Sequence, residues 1–417
     1  MNIMKKLKSL SAILMLLATM ASCSNDDTAV NQPDDVDLKP IPAAYSKVQQ
    51  TPFAQQSNAF ANRLFTVLAE QPENQGKNVC VAPMSMQYML SMIANGAEES
   101  LQQEIVAALG SENIDQLNAD NRALYDRLAQ DADYVQVGLS NSMWLDQQRA
   151  YLPAFKSTMQ NYYMTDMQTA GYSNTKDHSA ISAMMDAWVK EHTNNEVQSL
   201  PISLNVLTRL VTVSANYFDA KWASPFDPAV TEQRPFYNAE GSSAKVMTMN
   251  QTLTANYYTD DTQQMIELPY GQGYFSMLIA MPKLSEQLDS LTQHADWWQW
   301  HEQMTTGQVE VMLPRFATSS SQTDIAAMLN ELSMPNVSEG TYPYIATGEP
   351  LELNTIVHSV SIKVDENGTK AASTAGSKME DLIAPYTPTL AFDHPFIFAV
   401  RENTTGAILF MGRVVKL

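Results

Sequence analysis

Six histidines and two cysteines are the residues of this 417-residue chain best suited to acid–base, nucleophilic or metal chemistry. Their surroundings lack the patterns that such chemistry uses. No Gly-x-Ser-x-Gly elbow lifts a serine onto a strand-to-helix turn, no His-Glu-x-x-His sets two imidazoles on one helical face, and no glycine-rich loop offers amides to a phosphate. A serine–histidine–aspartate set assembles in space, so spacing alone does not test for one, and a hydrolase stays as the alternative from another class. Cys80 lies in the apolar, strand-like Asn78-Val79-Cys80-Val81-Ala82-Pro83, which describes a buried thiol. Asp296-Trp297-Trp298-Gln299-Trp300 has the look of a sugar-stacking platform, but a helix packing two of its tryptophans into a core explains the same spacing.

Another chemistry, the exchange of backbone hydrogen bonds, is written between Val360 and Phe392. Val360, Ile362 and Val364 alternate with Ser361 and Lys363, the period of a strand. After Gly368 the large apolar residues vanish and the alternation persists. Odd positions carry Thr369, Ala371, Ser373, Ala375, Ser377 and Met379; even positions carry Lys370, Lys378 and Glu380, the only charges from Gly368 to Glu380. Strand side chains point alternately to opposite faces, so this segment can lie in a sheet with its small face buried. A flexible linker has no reason to sort its charges in this way.

Such a segment needs a sheet to join. Phe60, Leu64, Phe65 and Leu68 predict a helix from Phe53 with one apolar face. Pro83-Met84-Ser85 opens a second, striped by Tyr88, Met89, Met92 and Ile93 and ending before Gly96; residues 101–109 form a third, stopped by Gly110. Residues 135–144 read as a strand, 155–163 and 182–193 as helices, and the apolar 207–218 as a strand buried on both faces. Phe236, Met247 and residues 264–270, 274–281 and 309–313 make a strand-rich section. A helix over 323–332 follows, then strands 395–401 and 407–415 around the turn Asn403-Thr404-Thr405-Gly406. Helices crowd the first half and strands the second, without internal repeat or interior linker. The fold class is α+β, as one unit over 53–417.

The chain is 45% hydrophobic and 17% charged, with a formal net charge of −20. An acidic surface of this size is a poor partner for nucleic acid or an anionic membrane surface. Residues 1–22 have the layout of an export signal: Lys5, Lys6 and Lys8, an apolar run over 10–20, then small residues. The leader holds three lysines and no acids, so the chain without it stands at −23. Its apolar run is too short for a permanent membrane span. Met20-Ala21-Ser22-Cys23 resembles the bacterial lipobox, which implies lipidation of Cys23 and an anchor of several acyl chains. Ser24-Asn25-Asp26-Asp27 resembles the acidic tag that carries some Bacteroidetes-type lipoproteins to the outer face of the outer membrane. Residues 28–51 are polar and without apolar period, so 23–52 reads as a disordered tether. With Cys23 modified, Cys80 has no partner for a disulfide within the chain.

From Phe53 onward the motifs resemble, in order, those of the serpins. Asn78 to Ser85 is similar to the family's strand-to-helix signature. Val213 to Phe226, through Tyr217-Phe218-Asp219-Ala220-Lys221-Trp222 and Pro225-Phe226, is similar to its Asn-Ala-x-Tyr-Phe-Lys-Gly-x-Trp segment. Glu267-Leu268-Pro269-Tyr270, Leu278-Ile279-Ala280-Met281-Pro282, Leu313-Pro314-Arg315-Phe316, His358, residues 366–372, His394-Pro395-Phe396 and Leu409-Phe410-Met411-Gly412-Arg413 complete the series. The resemblance implies a large central mixed sheet of five strands, further smaller sheets and an exposed reactive-centre loop. It also implies an inhibitor: a protease cleaves the loop, is held as an acyl-enzyme, and is carried away as the loop inserts into the sheet.

The resemblance further assigns roles. Gly368, Thr369, Lys370, Ala371, Ala372, Ser373, Thr374 and Ala375 match the inhibitory hinge, where small residues insert without overpacking. Lys370 and Asn367 stand where acids are commoner, Lys370 at outward parity. Ser85, Ser214 and His358 match a polar cluster under the sheet opening, with Ser214 in place of an asparagine and Ala82 in place of a serine. Trp222, Arg315 and Glu366 match the place where the loop first enters. Counted from Gly368, the cleaved bond is Leu382–Ile383; counted back from Phe392 it falls one or two residues later, near Ala384-Pro385. Met379, Glu380, Asp381 and Ala384 complete the bracket. Leu382 suits a chymotrypsin-like, elastase-like or papain-like protease, and the neighbouring acids disfavour acidic clefts. The expected protein is a monomer that needs no cofactor or metal and touches the membrane only through its lipid. The alternative within the fold is a non-inhibitory binding module, whose hinge would carry bulky or charged residues or proline.

Overall fold

Residues 48–129, 131–195, 197–200, 202–322, 326–352, 357–369 and 387–417 are described by a computed structural model. The leader, Cys23, Lys370 to Ala375 of the hinge and the bracket Met379 to Ala384, with Leu382 and Ile383, lie outside the described residues.

Helix α1 (Pro52–Glu70) starts where Thr51 Oγ1 accepts from the Ala54 amide and Pro52 supplies a preset first turn; Phe60, Leu64, Phe65 and Leu68 are all buried. The docked chain begins earlier than the expected tether boundary. Gln49 and Thr51 donate backbone hydrogen bonds to Asn403 and Thr405, so the last tether residues belong to the fold. After β1 (Val79–Val81) comes α2 (Pro83–Ala94), buried along its whole length, then α3 (Glu99–Ala108) and α4 (Ile114–Arg127). No apolar periodicity in the sequence announces α4, because two of its four buried residues are Asn118 and Asn121, which blur its stripe. The rest of the first half is β2 (Val135–Asp146), α5 (Pro153–Tyr162), β3 (Asp166–Ala170), α6 (His178–His192) and β4 (Leu210–Lys221). The strand expected from Leu207 starts at Leu210 instead. Asn205 and Thr208 close a turn there, leaving Leu207 72% exposed.

The second half runs β5 (Glu232–Tyr237), β6 (Ser243–Thr259), β7 (Gln263–Tyr270), β8 (Phe275–Pro282), α7 (Leu288–Gln293), α8 (Trp297–Gln303), β9 (Thr305–Pro314), β10 (Phe316–Gln322) and α9 (Ala326–Glu331). It closes with β11 (Thr341–Tyr342), β12 (Leu351–Glu352), β13 (Val357–Val364), β14 (Gly368–Thr369), β15 (Thr389–Ala391), β16 (Phe396–Glu402) and β17 (Ile408–Val414). In α8, Trp297 and Trp300 are buried against each other edge to face at 5.1 Å, the packing expected of that tryptophan run.

A mixed sheet carries the order β10-β13-β4-β2-β3, with β13–β4 and β2–β3 parallel and β14 added on β4. A second sheet runs β1-β17-β16-β8-β7-β6-β9-β15 with β5 on β6, and β11 pairs with β12. The fold is α+β. Alternation along β4 divides two cores: Phe218 and Ala220 join the main core, whereas Val211, Val213 and Ala215 pack with Trp144, Ile181, Met185 and Trp188 under α6. Val197, Leu200, Ile202 and Leu204, from the chain after α6, rest on that smaller core.

Candidate functional site: a fork in the mixed sheet

Strands β4 and β13 run side by side for three residue pairs: Val213 with Val357, Ser214 with His358, and Ala215 with Ser359. Beyond them the ladder ends. At the far end of β4 the short β14 is seated, antiparallel, with Gly368 opposite Lys221 and Thr369 opposite Ala220. The two strands therefore form a fork, zipped at one end and stoppered by β14 at the other. Strand edges with open hydrogen-bonding groups are templates for a further strand.

The stopper is specific in its residues. Gly368 has φ +142°, and a Cβ there would sit 1.9 Å from the carbonyl oxygen of Ala220, so only glycine fits. Thr369 is 1% exposed, its hydroxyl 2.9 Å from that of Tyr270. Tyr270 stacks on Trp222 at 4.3 Å with 7° between the rings. The Trp222 indole donates to the Asp365 carbonyl at 2.9 Å, and its amide to that of Asn367 at 2.8 Å. Arg315 donates to Glu366 Oε1 through Nε at 2.8 Å and Nη2 at 2.5 Å, and Thr231 adds a third bond at 2.6 Å. Burial alone would raise the Glu366 carboxyl; the bonds from Arg315 and Thr231 outweigh it and hold the group below the usual carboxylate range. The structure thus brings Trp222, Arg315 and Glu366 together, and adds Tyr270 and Thr231 to them.

At the zipped end Ser85 of α2 lies 2.7 Å, hydroxyl to hydroxyl, from Ser214 of β4. His358 is beside Ser214 in the ladder, but its Nε2 accepts from the Ala82 amide at 3.2 Å. That bond needs a neutral ring, and burial pushes the imidazole down to about 4. Asn216, absent from the cluster expected from the sequence, donates to Ser85 at 2.7 Å and to Ser214 at 3.4 Å. Asn141 is also buried here, opposite Ser214 on β2. The available signal was the run Thr212, Ser214, Asn216, polar at every second position of an apolar strand. Cys80, its thiol donating toward the Thr318 and Val360 carbonyls, is pushed up to about 12 by burial and is inert.

A strand edge of this kind can accept backbone from its own chain. Comparison with known proteins points the same way. The profile of the Serpin (serine protease inhibitor) family matches residues 55–417. A serine protease inhibitor of Cyanea capillata is 28% identical over 355 residues, covering 82% of this chain and 92% of the relative. Among solved structures, Serpin48 of the insect Tenebrio molitor superposes with a TM-score of 0.75 at 26% identity, over 88% of this chain and 98% of that one. The thermophilic serpin Tengpin in its native state shares the fold with a TM-score of 0.79 at 21% identity, over 89% and 96%.

Proposed function

The chain belongs to the serpin family, whose members are mostly protease inhibitors, and from that premise we propose that it traps serine proteases, or papain-like cysteine proteases, covalently through loop cleavage and strand insertion. The observation that carries this reading is the pairing of Gly368 and Thr369 with β4 at the mouth of a fork. The protease nucleophile attacks the Leu382–Ile383 bond or a neighbour within Met379 to Ala384, and the acyl-enzyme forms as the new amino terminus departs. Cleavage frees the segment behind Thr369 to continue along β4 in the register that β14 sets. Lys370 then falls opposite Asp219, Ala371 opposite Phe218, Ser373 opposite Asn216 and Ala375 opposite Ser214. The small residues thereby meet the core face and Lys370 the outer face. Each residue added gives the edge of β4 a backbone partner, and the three-pair ladder to β13 unzips in turn.

The run Met20-Ala21-Ser22-Cys23 supports a lipid-anchored protein, and the acidic residues after it support a position on the outer membrane facing outward. Incubation with chymotrypsin-like, elastase-like and papain-like proteases, followed by denaturing electrophoresis, tests the inhibitory reading. A complex resistant to detergent is expected with a serine protease. Loop cleavage with no such complex and no loss of any protease's activity would leave a binding module as the reading.

A further inference from the structure

The peptide between Asn367 and Gly368 is strung between two fixed points. On one side Glu366 is held by Arg315 and Thr231 at its carboxylate and by the Phe226 amide at its carbonyl, 2.8 Å away. On the other, Thr369 is buried on β4 under the Tyr270 hydroxyl. Between them Gly368 N donates to the Asp365 carbonyl at 3.1 Å, the Gly368 carbonyl accepts from Asp365 N at 2.8 Å, and Trp222 N holds the Asn367 carbonyl. The glycine slot has no spare volume, since a Cβ would meet Ala220 O at 1.9 Å.

Asparagine followed by glycine is the pair in which a backbone nitrogen most easily reaches the preceding side-chain amide, because glycine places no Cβ in the way. We propose that Asn367 is a spontaneous deamidation site, gated by how often the hinge leaves its seat, whose isoaspartyl product cannot return there. While seated, Gly368 N is committed to Asp365 and the backbone is pinned, so ring closure waits for a local opening. Once free, Gly368 N attacks Asn367 Cγ; its proton and the side-chain NH2 leave together as ammonia, and a cyclic imide remains. Water then opens the ring. Breaking the bond from Gly368 N to Cγ gives aspartate with the backbone unchanged. Breaking the bond to the original main-chain carbonyl carbon gives isoaspartate, whose chain runs through Cβ and Cγ. One water is consumed and one ammonia released, with no change of oxidation state. The isoaspartyl form places an extra methylene between Glu366 and Thr369, both pinned, with a slot that admits only glycine in one position. Each opening is therefore a chance of permanent release.

This inference rests on the hinge role given above, and its readouts do not need a target protease. The full chain is aged at mildly alkaline pH beside a urea-unfolded sample. Isoaspartate at residue 367 is followed by isoaspartyl-specific methyl labelling and peptide mass, and the seating of β14 by hydrogen exchange at Trp222, whose amide donates to the Asn367 carbonyl. Expected is slow accumulation in the folded protein and fast accumulation in the unfolded chain. Molecules carrying isoaspartate should lose protection, while Asn367→Asp keeps it and Asn367→Gln stays unmodified. No conversion at Asn367 over the time in which the unfolded chain converts fully would overturn the proposal, as would isoaspartyl molecules with unchanged protection.

Discussion

Lys370 and Asp219 offer a direct measurement of how far the register of β14 extends. Gly368 opposite Lys221 and Thr369 opposite Ala220 make a register that, continued by one residue, pairs Lys370 with Asp219. Asp219 is half-buried and belongs to the outer-facing set of β4. Directly opposed charges on paired strands contribute about 0.2–1 kcal/mol when opposite in sign and cost a similar amount when alike. Reversing one member, by Lys370→Glu or Asp219→Lys, therefore swings the inserting state by about 1 kcal/mol, or about fivefold in the partition between trapped complex and cleaved inhibitor. The assay is the stoichiometry of inhibition against a chymotrypsin-like protease for the two single variants and the double reversal. Each single variant should shift about fivefold toward cleaved product, with a smaller shift at high salt, and the double reversal should recover most of the loss. A double variant no better than the two single losses combined would refute the continued register.

Thr369→Arg forces a guanidinium into a buried seat beside Tyr270; loop cleavage should persist on a denaturing gel while the covalent complex disappears. His358 gives a pH signature. Its ring titrates at 6.5 when exposed and at about 4 when folded, so the unfolded chain binds more protons between those values. Stability should fall as pH drops from about 6.5 and level off below about 4, a loss of about 3 kcal/mol; melts of His358→Gln across that window should show a flatter profile. Cys23→Ala should move the protein from the membrane fraction to the soluble fraction of the cells, without altering the melting of the folded unit.

The burial of Thr369 was legible in the sequence because strand parity is local: two residues suffice to define a face, and Thr369 is buried as its odd position requires. Trp222, Arg315 and Glu366 were legible only as matches to a family, yet their contacts explain the residue types, with a forked cation on a buried carboxylate and an indole holding the neighbouring Asp365 carbonyl. The fork was not legible. It depends on where two strands separated by more than a hundred residues stop pairing, and no local pattern marks Ser359 as the last rung. Asn216 stayed hidden for a related reason: a polar residue in an apolar strand declares its purpose only when Ser85 from α2 arrives beneath it. At Leu207 the apolar run misled, because composition continued past a turn that Asn205 and Thr208 impose.

The small core under α6 gives the fork an uneven topography. Val211, Val213 and Ala215 of β4 are covered by Ile181, Met185 and Trp188 and by Val197, Leu200, Ile202 and Leu204, at the same level as the rungs still zipped to β13. Above that level the strands have already parted. An arriving strand would run its first stretch, Lys370 to Ser373, clear of the rungs that join β4 to β13, and its second beneath a roof. Lifting the roof means exposing apolar surface before new backbone bonds compensate, so the halfway point is a natural halt. A chain stopped there would hold a half-filled sheet, with its lower rungs still zipped to β13.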